Sequence, residues 1–170
     1  MKKILLTLTL GLGILTANAQ IQKLAGPRLG VTLITAGSTA DFIHEGFNYE
    51  GEDGSTGSAF VTQYGWQWES RFADGGGSVT GIVEWIALAG GMEQGKFLPS
   101  VSSVIGVRTS NGLEVGVGPN LSLSGIGMVF GIGHNFKSGN LNLPVNLVFM
   151  PGKDESGARI SLMVGFNMSK

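Results

Sequence analysis

Between Ser58 and Ala73 the chain alternates residue by residue between two kinds of side chain. Phe60, Thr62, Tyr64, Trp66, Trp68, Ser70 and Phe72 share one parity; Val61, Gln63, Gly65, Gln67, Glu69 and Arg71 share the other. Successive side chains of a β-strand leave on opposite faces, whereas a helix would scatter these aromatics around its axis. The segment therefore reads as a strand with one aromatic and one polar face.

Seven further segments alternate in the same way. Arg28–Ala36 carries Leu29, Val31 and Leu33 on its apolar face. Ser78–Leu88 sets Val83 and Trp85 opposite Glu84; Ile82 and Ile86 share the Glu84 face, so charge alone assigns its parity. Ser100–Arg108 carries Val101, Ile105 and Val107, and Leu113–Pro119 sets Leu113, Val115 and Val117 against Glu114, Gly116 and Gly118. Ile126–Phe136 carries Ile126, Met128, Phe130, Ile132, His134 and Phe136 opposite mostly Gly. Leu141–Phe149 and Ala158–Met168 continue the pattern, with Asn142, Asn146, Arg159, Ser161 and Asn167 on the polar side.

Short Gly- and Asn-bearing links at Asp74–Gly77, Ser110–Gly112 and Lys137–Asn140 suit tight turns, which need positive φ. They alternate with longer links at Gly37–Gly57, Ala89–Pro99, Pro119–Gly125 and Met150–Gly157. Eight strands joined this way predict an all-β, antiparallel, up-and-down barrel.

Composition places that barrel. Charged residues make up 14% of the chain and 29 of 170 residues are Gly, against roughly 25% and 7% in ordinary soluble domains. Beyond the first twenty residues no apolar run reaches the length of a spanning helix, so a closed barrel is the other way to cross a bilayer. A soluble lipocalin-like carrier would have the reverse polarity, with Lys and Glu on its wet exterior. Here the polar parity is mostly Gly, Ser, Asn and Gln, which suits a crowded lumen, and the apolar parity of the eight segments holds no Asp, Glu, Lys or Arg. The expectation is a transmembrane barrel with the aromatics Phe60, Tyr64, Trp66, Trp68, Phe72, Trp85, Phe130, Phe136, Phe149 and Phe166 facing lipid.

The N-terminus reads as an export signal. Lys2 and Lys3 precede an apolar stretch, Ile4–Leu15, of about twelve residues, short of a spanning helix. Ala17-Asn18-Ala19 supplies a cleavage pattern, predicting a signal peptide over 1–19 and one barrel domain over 20–170. Gln20 follows the cut and the chain has no Cys, which excludes a lipid-anchored Cys, disulfides and Cys-ligated metal. Without Lys2 and Lys3 the 11 basic residues fall to 9 against 12 acidic ones, so no basic excess suggests nucleic acid.

Taken together, the signal peptide, eight amphipathic strands, short inner turns and amphipathic final strand resemble the small outer-membrane barrels typified by the OmpA transmembrane domain and OmpX. The stretch Gln63-Tyr64-Gly65-Trp66-Gln67-Trp68-Glu69 is similar to one in uncharacterised outer-membrane proteins of this size. Many such barrels end on Phe, whereas here Phe166 is followed by Asn-Met-Ser-Lys. The resemblance implies the outer membrane of a Gram-negative cell, outer-membrane lipids as surroundings and the barrel assembly machinery as a partner during biogenesis.

By parity, Glu69, Arg71, Glu84, Arg108, Glu114 and Arg159 point into the barrel, with Arg28 joining them near the periplasmic mouth. Unpaired buried ions are very costly, so these charges are expected to pair into a plug; a conduction path is the alternative. His134, on the lipid-facing parity, is expected at the interface. His44, in a stretch able to form one capped helical turn, stands near Asp41 and Glu45, a set that hints at metal or hydrolytic chemistry but has no Ser assigned to it. Glu50-Gly51-Glu52-Asp53-Gly54 lacks the spacing of a Ca²⁺ loop and is expected to be a solvated loop. No catalytic residue, metal site or cofactor is assigned. The leading expectation is a non-enzymatic barrel serving envelope integrity or surface contacts, with a lipid A-modifying enzyme, a narrow pore and a lipocalin-like carrier as rivals.

Overall fold

Alternating residues give each strand one face for the barrel interior and one for its outside. The computed structural model describes residues 23–45, 57–74, 77–153 and 155–169. The signal segment and the acidic loop at 50–54 lie outside the described residues. The strands are β1 (Lys23–Ile34), β2 (Ala59–Asp74), β3 (Val79–Gly90), β4 (Leu98–Thr109), β5 (Leu113–Ser122), β6 (Gly125–Ser138), β7 (Leu141–Met150), β8 (Arg159–Gly165) and β9 (Asn167–Ser169). A short helix, α1 (Ser38–His44), follows β1, and a single 3-10 turn, Met92–Gln94, follows β3.

Every strand from β1 to β8 pairs antiparallel with its neighbour in the chain, and β1 pairs with both β2 and β8, closing the sheet. β9 prolongs β8 past a break at Phe166, pairing with β1 on one side and β7 on the other. The result is a closed, eight-stranded, all-antiparallel barrel. The break presses the Phe166 carbonyl onto β1 at Gly26, where a Cβ would stand 1.8 Å from that oxygen. Only Gly fits there.

Besides this split of the last strand and shifts of a residue or two at strand ends, three features differ from the sequence expectation. β1 starts at Lys23, not Arg28, so Arg28 lies well inside the strand and is buried instead of standing at a mouth. The link expected at Pro119–Gly125 is a two-residue turn, Leu123–Ser124, before Gly125 at φ 100°. Pro119 has no N–H to donate and usually ends a strand. Here β5 runs on through it: β5 pairs with β6 at Pro119↔Met128, while its ladder to β4 lapses opposite Ser103 and Val104 and resumes in the same register at Ser102↔Asn120. Third, α1 has no side-chain cap; its N-cap is Gly37, and the Ser38 N–H donates to the Glu155 carbonyl at 2.8 Å.

That hydrogen bond helps hold α1 as a roof over the end of the barrel that carries the longer links. Thr35 N–H donates to Ala158 O at 2.9 Å, and Ala158 N–H returns a bond to Thr35 Oγ1 at 2.8 Å. Ala40 and Ile43 of α1 then pack on Ile34, Ala59, Val61 and Leu98. Lys96 lies 4.5 Å over the Phe42 ring and 3.8 Å from Glu45.

Candidate functional site: the barrel lumen

The inward parity of β1 to β5 brings six charged side chains together in the half of the lumen nearer the short turns. Two ladder registers set up the problem they solve. Glu69 lies directly opposite Glu84 across β2 and β3, a like-charge pair that destabilises a sheet if left alone. Arg108 lies opposite Glu114 across β4 and β5.

Arg108 resolves one side. Its Nη1 and Nη2 donate to the two Glu69 carboxylate oxygens at 2.6 Å each, the planar fork-to-fork geometry that Arg makes best, and its Nε donates to Glu114 Oε1. Arg71 adds a second cation 3.8 Å from Glu69. Gln67 resolves the other side: its amide N–H donates to Glu84 at 2.5 Å, while its carbonyl accepts from Arg28 Nε. Arg28 also donates to the Pro144 carbonyl at 3.3 Å. Three guanidiniums (Arg28, Arg71, Arg108) thus face three carboxylates (Glu69, Glu84, Glu114). Arg28, Glu69, Glu84, Arg108 and Glu114 are all at most 7% exposed. Charges so deeply buried persist only when paired and hydrogen-bonded, and this arrangement is electrically balanced.

Sequence parity placed these charges inward but offered no reason to choose Gln67, which is 0% exposed and links the two arms. A Gln on the same parity, two residues from Glu69, was the signal available. Arg159 is not brought into the cluster. It opens β8 at the loop end, where Nη1 donates to Ser122 Oγ at 3.3 Å, and Nη2 to Thr39 Oγ1 at 3.3 Å and to Ser124 Oγ.

Above the ionic floor the lumen is not simply Gly-lined. Ile86, Leu88, Val129, Val148, Met150 and Met163, interspersed with small polar groups such as Ser102, Asn120 and Ser161, line a cavity of about 110 Å³. They stand on the Gly- and polar-bearing parity, and the barrel's curvature alone turns them toward one another.

The outer face is the reverse. All ten aromatics singled out from the sequence stand on it, each 43–54% exposed. Leu29, Ile105, Val115, Ile132, Leu147 and Leu162 fill in between. Among the described strand residues on this parity the one charge is Lys23, at the starting end of β1. Trp68 sits opposite Trp85 across β2 and β3. His134 lies on this face near the short turns, its ring 4.4 Å from that of Phe136. In α1, a ring nitrogen of His44 meets the Ser58 carbonyl at 3.4 Å. Among the described residues no group of three or more His, Asp or Glu is arranged to hold a metal.

No family model matches this chain, and neither does any curated protein. Among solved structures, a de novo designed transmembrane β-barrel aligns over 84% of this chain and 95% of its own, at TM-score 0.38 and 14% identity. Ail, the attachment invasion locus protein of Yersinia pestis, aligns over 88% and 99% at TM-score 0.29 and 11% identity. A second structure of Ail, with the heparin analogue sucrose octasulfate, gives the same coverage and TM-score at 12% identity.

Proposed function

We propose that this chain is an integral outer-membrane barrel, exported by its N-terminal signal and non-enzymatic, serving envelope integrity or contacts made by its loops. One observation carries the membrane placement: the barrel's outer belt is predominantly apolar and exposed. Soluble proteins rarely expose contiguous apolar patches beyond a few hundred Å², and a belt encircling the barrel exceeds that. A Lys or Arg at the midplane of such a belt would cost about 2–4 kcal/mol, which accounts for its lack of charge. Outer-membrane lipids are then its surroundings, and the assembly machinery its partner during insertion.

The ionic cluster favours a filled scaffold over a channel, because salt-bridged and hydrogen-bonded side chains from five strands occupy the lumen of a barrel already narrow at eight strands. The test is fractionation of cells producing the full chain, combined with gel migration with and without boiling. Outer-membrane recovery with heat-modifiable migration is expected, and recovery in the soluble periplasm would overturn the placement. Planar-bilayer recordings are expected to show no steady conductance. Lipopolysaccharide incubated with the purified barrel is expected to come through unmodified, with His44→Ala as the control should modification be seen.

A further inference from the structure

Arg159 is treated differently from the other arginines of the lumen. Arg71 and Arg108 face carboxylates, and Arg28 reaches Glu84 through Gln67. Arg159 donates only to hydroxyls, those of Ser122, Ser124 and Thr39, and among the described residues no carboxylate lies within ion-pair distance of it. A hydroxyl that accepts from a guanidinium keeps its own hydrogen to donate. Ser122 and Ser124 share one such hydrogen between them at 3.0 Å, so Arg159, Thr39 and one serine hydroxyl form a cluster of donors at the loop end with no carboxylate among the described residues to receive them.

This cluster stands where two cavities meet. Arg159, Thr32, Gln63 and Ser100 line both the inner cavity of about 110 Å³ and an outer one of about 320 Å³ beneath α1. On one side of the guanidinium lie the aliphatic groups of the inner cavity, and on the other lie Phe42, Leu98 and Leu123. The inner cavity mixes these aliphatic groups with Ser102, Asn120, Asn146 and Ser161, and the aliphatic groups give an apolar guest its contact surface. A cationic donor group beside it selects a guest with an anionic head.

We propose that the loop-side half of the lumen binds a short single-chain anionic amphiphile, a carboxylate or phosphate monoester, with its head on Arg159 and its alkyl chain among Met150, Met163 and Val148. The head serves Arg159 as counter-ion, accepting from the guanidinium and from one hydroxyl of the Ser122–Ser124 pair. The chain gains roughly fourfold in affinity for each methylene buried, until the cavity is full. The ionic floor below sets the limit of that length, since Arg28, Gln67 and Glu84 line the bottom of the same space.

The methionine methyl groups make this testable on the folded barrel in a neutral detergent. Met150 and Met163 line the inner cavity, while Met128 faces outward and is 46% exposed, so it reports partition of the probe into the micelle. Titration with octanoate or octyl phosphate is expected to shift the Met150 and Met163 methyl resonances saturably. Octanol and inorganic phosphate should each bind at least tenfold more weakly. Arg159→Gln should weaken octanoate at least tenfold and Arg159→Lys much less, with heat-modifiable migration showing that each variant is folded. Shifts confined to Met128, equal binding of octanoate and octanol, or unchanged affinity in Arg159→Gln would each overturn the proposal. So would inorganic phosphate matching octyl phosphate, which would leave the aliphatic cavity without a part.

Discussion

The two halves of the lumen are built on the same strands and the same parity, yet one is knit by charges and the other is largely uncharged. Toward the short turns, six charged side chains and Gln67 interlock through directional bonds. Toward the longer links, aliphatic side chains and small neutral polar ones such as Thr32, Ser102 and Asn120 surround open space. Ion pairs in a low-dielectric interior tolerate few geometries, because each lost partner leaves a bare charge. Dispersion contacts are individually small and weakly directional, so an aliphatic lining absorbs change at low cost. The turn-side half should therefore carry the uniqueness of the fold, and the loop-side half is where adaptation or binding can occur.

The sharpest way to break that comparison is Arg108→Met. It strands Glu69 and Glu114 together and should cost roughly 3–5 kcal/mol, seen as a lower urea midpoint of the folded band. Adding Glu114→Gln should return much of that loss, because the double variant leaves Arg28 and Arg71 facing Glu69 and Glu84, two cations to two carboxylates. Next in size is Gln67→Ala, which leaves Arg28 and Glu84 without their bridge and should cost about 1–3 kcal/mol. Val129→Ala, in the loop-side half, should cost only about 1 kcal/mol by the same measurement. If Val129→Ala matched Arg108→Met, the contrast between the halves would be wrong.

The smallest effect lies outside the lumen, at the 3-10 turn. Burial opposes the charge of Glu93, but the Thr62 hydroxyl and backbone N–H both donate to its carboxylate and hold its pKa below the ordinary Glu value. A carboxyl depressed in the folded state stabilises fully above its unfolded pKa, about 4.3, and loses that contribution as pH falls through the lower folded value. The Thr62 amide resonance should therefore titrate with a midpoint below about 4.3. A midpoint at or above that value would remove the anchoring role of this contact.

Much of the barrel is legible in the chain because parity is a local property. Phe60 to Phe72 declare one face without reference to any other strand, and Glu84 sorts β3 although Ile82 and Ile86 share its side. Prolines mark where such reading fails. Pro119 looks like the end of β5, but a strand needs each N–H for only one neighbour at a time, and the ladder to β6 carries it through to Ser122. The α1 cap was misread for a related reason: its orphan N–H is met by Glu155, more than a hundred residues away.

By itself, then, the sequence determined which residues face in and which face out, since that depends only on the two-residue repeat. It also determined that Glu69, Arg71, Glu84, Arg108 and Glu114 share an interior. Which of them bond, that Gln67 joins two arms, and that Arg159 stands apart were decided by strand stagger and barrel closure. Those set the relative height of residues on different strands, and height within a closed tube is not written in any one strand.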